Sequence, residues 1–414
     1  MQSSTMSLVK TMKRSSRLRI FIAASMAALF ISYLGIWMRL INDPVERTGA
    51  DFIHFYSAGR IAQLYSPSHV YDLALQQEME EEQVGFPLAQ EQILPYNHMP
   101  FLIPVLQAIV DENYVGSFYR WDALMIIVYM LGAAVMGLVL TQAGLQRQWV
   151  LIAQIGGLLF LPYFFSLMNG QDTALVFLGA AIWVHSMLSG RPLLAGLGLS
   201  MTTVRPHIAL LLALPMLFHN RKIFLGFLLG SGVLASLSIS ILGLQGTQEF
   251  IDILLLSAAG TGHGIKQAAM FNLIGLLMRI MPWLGEDGVR LMGWVIYGTA
   301  IIALCVLWSK RNFLQDWRIG LTVTLAVFVA PHLHFHDLTL LLIPLFEMMR
   351  LSRANDVFKM PTAVAAPLAI SILLLMSNIS PSLQYTIPYL IMLALVSYPY
   401  WARARADATV LHQS

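Results

Sequence analysis

The chain has 414 residues, 57% of them hydrophobic and only 11% charged, with a formal net charge of +3 and a mean hydropathy of +0.68. A soluble domain carries roughly 25% charged residues, so this balance excludes an ordinary soluble enzyme. Apolar runs of about 18–20 residues recur along the chain, which points to helices crossing a membrane and excludes an outer-membrane barrel. The single cysteine, Cys305, allows no internal disulfide.

The first run, Ile20 to Ile41, follows Lys10, Lys13, Arg14, Arg17 and Arg19. It is too long for a cleaved leader and lacks a small-residue cleavage site, so it reads as a retained anchor with the N-terminus inside. Further spans are expected at 119–140, 150–167, 173–189, 192–204, 206–218, 223–243, 289–308, 319–330, 338–349, 361–378 and 386–401. The fold class is an all-α polytopic membrane protein of about 12 transmembrane helices, in a range of about 10–13, forming one domain over 1–414 without a separate soluble part. Both termini then fall inside. So do Arg147, Arg191, Arg221, Lys222, Lys310, Arg311, Arg318, Arg350, Arg353, Lys359, Arg403 and Arg405, as the positive-inside rule requires. Of the acidic residues only Asp316, Glu347, Asp356 and Asp407 share that side.

The largest outer element is the loop 42–118, too long for a mere connector. Asp51 opens a stretch to Tyr65 that reads as a short amphipathic helix suited to lying in the interface plane. An acid there can take the proton of an incoming hydroxyl; the plainer alternative is a helix N-cap. The same loop holds Tyr71-Asp72, the acidic run Glu78 to Glu82, the segment Leu94 to Pro100, and an apolar run Phe101 to Val110 that is expected to rest in the outer leaflet.

Met168-Asn169-Gly170-Gln171-Asp172 forms an outer turn whose side chains can donate and accept as sugar hydroxyls require; its plainer reading is a glycine turn with Asp172 as N-cap. The spans 192–204 and 206–218 are too short to cross upright and read as a hairpin over 192–218. Its tip, Val204-Arg205-Pro206-His207, holds a cation and an imidazole within or near the membrane. A lipid phosphate is one partner for Arg205; snorkelling or an outer carboxylate is the alternative. The second outer loop, Leu244 to Gly288, contains Gly260 to Gly264 and an interfacial helix, Phe271 to Met281. In Pro331 to Asp337, alternation points His332, His334 and His336 the same way. A metal there is conceivable but ranks below hydrogen bonding or proton transfer. No phosphate loop, dinucleotide fingerprint, nucleophile elbow or zinc-protease motif occurs.

The segments GADFIHFYSAGR, Tyr71-Asp72, YNHMPF, NGQDTALVFLGAA, GRPLLAGLGLSMTTVRPHIALLLALP, FNLIG and PHLHFHDLTLLLIPL together resemble glycosyltransferase family 87, the DUF2029-type enzymes of the GT-C superfamily that use polyprenyl-phosphate sugars. They occur in family order across most of the chain. The resemblance implies that Asp51 is the general base and His332 a second catalytic residue near the donor. It implies phosphate binding by Arg205, His207 and His336, and sugar or acceptor binding by His54, Tyr56, Tyr96, Asn97, Asn169, Gln171 and Asp337. Two departures stand out: Arg205 replaces the family's lysine, changing a point charge into a planar fork, and YNHMPF brings in His98 and Met99.

The implied activity is inverting transfer of a hexose, mannose first, from polyprenyl phosphate to a lipid-linked or glycolipid acceptor on the extracytoplasmic side of the cell membrane. No cofactor and no nucleic-acid partner is expected; membrane lipids surround the chain. The rival readings are a transporter or flippase of lipid-linked intermediates, and a noncatalytic protein that binds polyprenyl phosphate. An internal repeat would favour the transporter, and none is found.

Overall fold

The computed structural model describes residues 2–42, 51–259, 267–310, 317–355 and 360–411, and every element among them is helical. The predicted Gly260–Gly264 segment, together with Gly49, Ala50, Arg311, Asp316, Asp356 and Lys359, lies outside the described residues. The chain begins with α1 (Gln2–Asn42), continues through the first outer loop as α2 (Phe52–Leu64), α3 (Leu73–Val84) and α4 (Ile103–Ile109), then enters α5 (Tyr114–Gln142). Next come α6 (Arg147–Leu158), α7 (Leu161–Met168), α8 (Thr173–Leu188), α9 (Pro192–Met201), α10 (Pro206–His219) and α11 (Arg221–Ala259). The chain then runs through α12 (Leu273–Ile280), α13 (Gly285–Ser309), α14 (Arg318–Val329), α15 (Leu342–Asn355), α16 (Met360–Ser377) and α17 (Pro381–Leu411).

Among the described residues, four stretches are long and apolar enough to cross a bilayer: Leu18–Leu40, Tyr114–Gln142, Arg221–Ala258 and Pro282–Ser309. A fifth arises if α6 and α7, bent by 45°, count as one span. Pro162 explains that bend, because it has no N–H for a continuous ladder and suits the first turn of a new helix. The other predicted spans are helical but fall short of the same test, so length and composition alone establish four or five crossings among the described residues. Within α11 the helix breaks at Gly243, whose φ of 67° is open to glycine, and the outer half turns back over the loops.

Close contacts give the direction of each helix. Gly137 of α5 faces Gln154 and Val150 of α6, whereas Gly157 faces Tyr129, so these two run antiparallel. Gly179 of α8 meets Gly198 and Thr202, and Gly198 meets Ile182, again antiparallel. Gly196 of α9 packs on Ile223 to Phe227 and Gly230 on Ser200, which makes α9 and α11 parallel and places α10 between them as the returning limb of a hairpin. Tyr297 Oη donates to the His207 carbonyl and Trp308 meets His219 edge-on, so α13 runs beside α10. The turns bearing Arg147, Arg191, Arg221, Lys222, Lys310 and Arg318 therefore gather at one end of the bundle. Asp51, Gln171, Arg205 and Asp337 meet at the other.

The helix expected to lie in the interface plane does not do so. Most of α2 is buried, with Phe52, Phe55 and Ala58 fully enclosed. Phe52 meets Phe118 edge-on at 5.4 Å, and Phe55 packs on Trp121 at 5.1 Å. The expected outer-leaflet run becomes α4 and packs its inner face on α2, where Gly59 lies against Val110 and Leu106. Aromatic residues that look interfacial in sequence are here the packing layer under the loop.

A methyl group on Gly196 would stand 2.0 Å from the Ile223 carbonyl oxygen, whereas one on Gly232 would meet nothing within 4 Å. Gly196→Ala should cost about 1–3 kcal/mol by forcing α9 from α11, while Gly232→Ala should be neutral or stabilising by up to about 1 kcal/mol. Thermal denaturation of the purified protein in detergent, run on both variants, checks the contrast.

Candidate functional site

Five segments converge at the acidic end: the start of α2, the strap Leu94 to His98, the turn Asn169 to Asp172, the tip at Arg205, and the loop Pro331 to Asp337. The strap is held from α3 and the residues before it. Tyr71 Oη donates to the His98 carbonyl at 2.5 Å, Gln76 Oε1 accepts from Tyr96 N at 2.7 Å, and Glu80 Oε2 accepts from Leu94 N at 3.1 Å. Asp72 caps α3, accepting from Ala74 N at 2.8 Å and Leu75 N at 3.3 Å, so the Tyr71-Asp72 pair has a structural task. Gly170 makes the turn with φ of 66°, and its carbonyl accepts from Trp121 Nε1 at 2.7 Å. The last loop is tied to the second outer loop by Phe271 N to the Leu333 carbonyl and by Asn272 Nδ2 to the Ala330 carbonyl at 2.7 Å.

At the centre is Arg205, only 8% exposed. Its Nη2 lies 3.0 Å from Asp172 Oδ1, its Nε 3.3 Å from Asp337 Oδ1, and its Nη1 3.2 Å from His98 Nδ1. Nη2 also donates to Gln171 Oε1 at 3.1 Å, and Gln171 Nε2 donates to Asp51 Oδ2 at 2.9 Å. Asp172 further receives His98 Nδ1 at 2.8 Å, and Asp337 Oδ2 accepts from His334 N at 3.0 Å. The guanidinium thus has the outer-carboxylate partners weighed as one alternative. Neither aspartate in question caps a helix. Asp51 and Asp172 stand before α2 and α8 without a side-chain bond to the helix amides, because each carboxylate is engaged elsewhere.

Burial works against ionisation of Asp172 and Asp337, which are 0% and 1% exposed. The Arg205 guanidinium and His98 outweigh it for Asp172, holding the acid down to about 2. For Asp337, His336 and Arg205 do the same and push it further below the carboxylate range. Burial lowers His336 to about 4 and takes His332 well below its ordinary value, with neighbouring His334 adding to the effect on His332. These imidazoles are therefore neutral near pH 7 and act as donors or acceptors, not as cations.

The network forms one wall of a cavity of about 470 Å³. Of the residues expected at the site, Asp51, His54, Asn97, Gln171, Arg205, His207, His332, His336 and Asp337 line it. Tyr56, Tyr96 and Asn169 do not. Tyr56 is buried between α2 and Tyr114, at 4.9 Å between rings. Tyr96 lies under the strap against Tyr71 and His98. Asn169 ends α7. Reading the sequence did not assign site roles to His98 and Asp172, although both stand inside quoted motifs, YNHMPF and NGQDTALVFLGAA. Apolar lining comes from Leu210, Leu254, Ile274, Trp294 and Tyr297 of α10 to α13.

His332 and His334 rings are 4.8 Å apart, and His334 and His336 rings 5.7 Å apart. Among the described residues, no group of three His, Cys, Asp or Glu is placed to hold a metal ion. The arrangement offers other chemistry. Asp51, half-buried and held at one oxygen by an amide, has lone pairs left to take a proton, and the histidines can donate N–H to an anion.

Compared with known proteins, the chain matches no protein-family model and no curated protein.

Removing the guanidinium would strand two buried carboxylates. Arg205→Ala should lower stability by about 3–5 kcal/mol, and Arg205→Lys should recover part of that loss because a point charge reaches fewer of the four partners. Thermal midpoints of the three forms test this ordering. A second expectation concerns Glu80, which burial raises from 4.5 to about 8, partly offset by the bond from Leu94 N. Between those values the folded chain holds a proton that the unfolded chain releases, so the stability due to this group falls as pH rises to about 8 and then levels off. Glu80→Gln keeps an acceptor for Leu94 N and removes the charge. It should gain stability relative to the native chain between about pH 5 and 9, by on the order of 1 kcal/mol, as denaturation at both pH values would report.

Proposed function

We propose that this chain is a membrane-embedded glycosyltransferase that moves a hexose, mannose first among the candidates, from a polyprenyl-phosphate donor to a lipid-linked or glycolipid acceptor. The observation that carries this reading is the mixed polar and apolar lining of the cavity. A carboxylate, an amide, a guanidinium and imidazoles line it together with the apolar side chains of Leu210, Leu254, Ile274, Trp294 and Tyr297. A sugar phosphate on a hydrocarbon tail likewise joins a polar head to an apolar chain. The order of motifs along the sequence, with its resemblance to glycosyltransferase family 87, supports the reading independently.

In this mechanism Asp51 takes the proton of the acceptor hydroxyl as its oxygen forms a bond to the anomeric carbon. The bond from that carbon to the phosphate oxygen breaks, and polyprenyl phosphate leaves with the electron pair. Attack opposite the leaving group inverts the centre, so a β-linked donor gives an α-glycoside. Gln171 orients Asp51, and Arg205 orients Gln171. His207, His332 and His336 offer N–H groups to the phosphate; Arg205, engaged by Asp172 and Asp337, adds its field more than a free contact. The shorter apolar helices complete a bundle of about 12 crossings, with both termini cytoplasmic and the acidic end facing the periplasm or cell exterior, where the tail enters between α10 and α13.

The test is transfer of labelled mannose from polyprenyl-phosphate-mannose to membrane glycolipid by purified protein, beside Asp51→Asn. The asparagine can still accept from Gln171, so the fold should persist while transfer falls about 100-fold or more. Equal transfer by both forms would remove Asp51 as the base, and donor movement across vesicles without transfer would replace the enzyme with a transporter.

A further inference from the structure

His98 has a geometry that the proposed transfer step leaves unused. Its Nδ1 lies 2.8 Å from Asp172 Oδ2 and 3.2 Å from Arg205 Nη1. Asp172, an ionised carboxylate, can only accept, and at 2.8 Å it stands closer to Nδ1 than Arg205 Nη1 does, so the proton is on Nδ1 and points at Asp172, and the guanidinium lies beside the ring without a hydrogen bond to that nitrogen. With its proton on Nδ1, and with the Arg205 guanidinium 3.2 Å away opposing a second positive charge, the ring presents Nε2 as an acceptor. That atom has no partner among the described residues, and His98 is one of the residues lining the cavity.

The ring is also fixed in place. Its backbone carbonyl is held by Tyr71 Oη, the strap before it by Gln76 and Glu80, and its faces by Phe55 at 4.3 Å and His54 at 5.1 Å between centroids. An acceptor this constrained favours a ligand atom that brings its own hydrogen. A phosphate diester oxygen brings none, whereas a sugar hydroxyl does.

We propose that His98 reads the sugar: its Nε2 accepts a hydrogen bond from a saccharide hydroxyl of donor or acceptor, and Asp172 is the positioning residue that keeps the proton on Nδ1. This rests on the reading of the cavity as a sugar-lipid site.

The experiment measures binding of three probes by the full-length protein in detergent: polyprenyl-phosphate-mannose, bare polyprenyl phosphate, and a glycolipid acceptor. His98→Asn is the informative variant, because its amide can still donate to Asp172 while the Nε2 position is lost; His98→Ala is the second. Affinity for the mannosyl donor or for the glycolipid should fall about three- to tenfold in both variants, with binding of bare polyprenyl phosphate unchanged. Loss in the donor arm places the hydroxyl on the donor, and loss in the glycolipid arm places it on the acceptor. Unchanged affinity for both sugar-bearing probes, or equal loss for bare polyprenyl phosphate, would overturn the role of His98 while leaving the transferase reading intact. Native protein that binds none of the three would overturn both.

Discussion

One guanidinium lies between two carboxylates that have almost no access to water, and the acidic end of the molecule is organised around that triad. Arg205, Asp172 and Asp337 come from three separate turns. None could keep its charge there alone, because an isolated buried ion costs several kcal/mol. Each turn is therefore acceptable only when the other two are in place. The triad also sets what lies beyond it: Gln171 is aimed by Arg205 and aims Asp51, while His98 is aimed by Asp172.

The charge balance of this end bears on its chemistry. Asp51, Asp172 and Asp337 face a single arginine, and burial keeps His332 and His336 neutral. A phosphate entering such a site meets N–H dipoles and one shared cation, not a cluster of free positive charges. On the proposed reading, that favours a donor held chiefly by its apolar tail and its sugar, with the phosphate bound loosely enough to leave. The outer half of α11, turned back at Gly243, brings Leu254 and Ser257 over the same cavity.

Much of this was legible in the chain. Most predicted segments coincide with helices because apolar runs and the breakers Pro192, Pro206 and Gly243 act locally, whereas the span expected over 150–167 is broken before Pro162. The hairpin with Arg205 at its tip follows from two runs too short to cross. Most of the expected site residues line the cavity. The misreadings have a common cause. Asp172 occupies a position where an aspartate ordinarily caps a helix, and only distant partners draw it away. Phe52, Phe55 and Tyr56 carry the pattern of an interfacial face, and only the packing of Phe118, Trp121 and Tyr114 against them makes it a core.

The amino-acid sequence by itself determined that the protein is helical and apolar and that two short runs meet in a hairpin at Arg205, since hydropathy and backbone restriction need no distant partner. Tertiary structure alone decided which polar groups pair. Gln171 meets Arg205 across 34 residues, and His98, Asp51 and Asp337 join the network across separations of 107, 120 and 132. Such pairings depend on how parallel and antiparallel helices bring their ends together, and the strength of each buried charge depends on every other one being present.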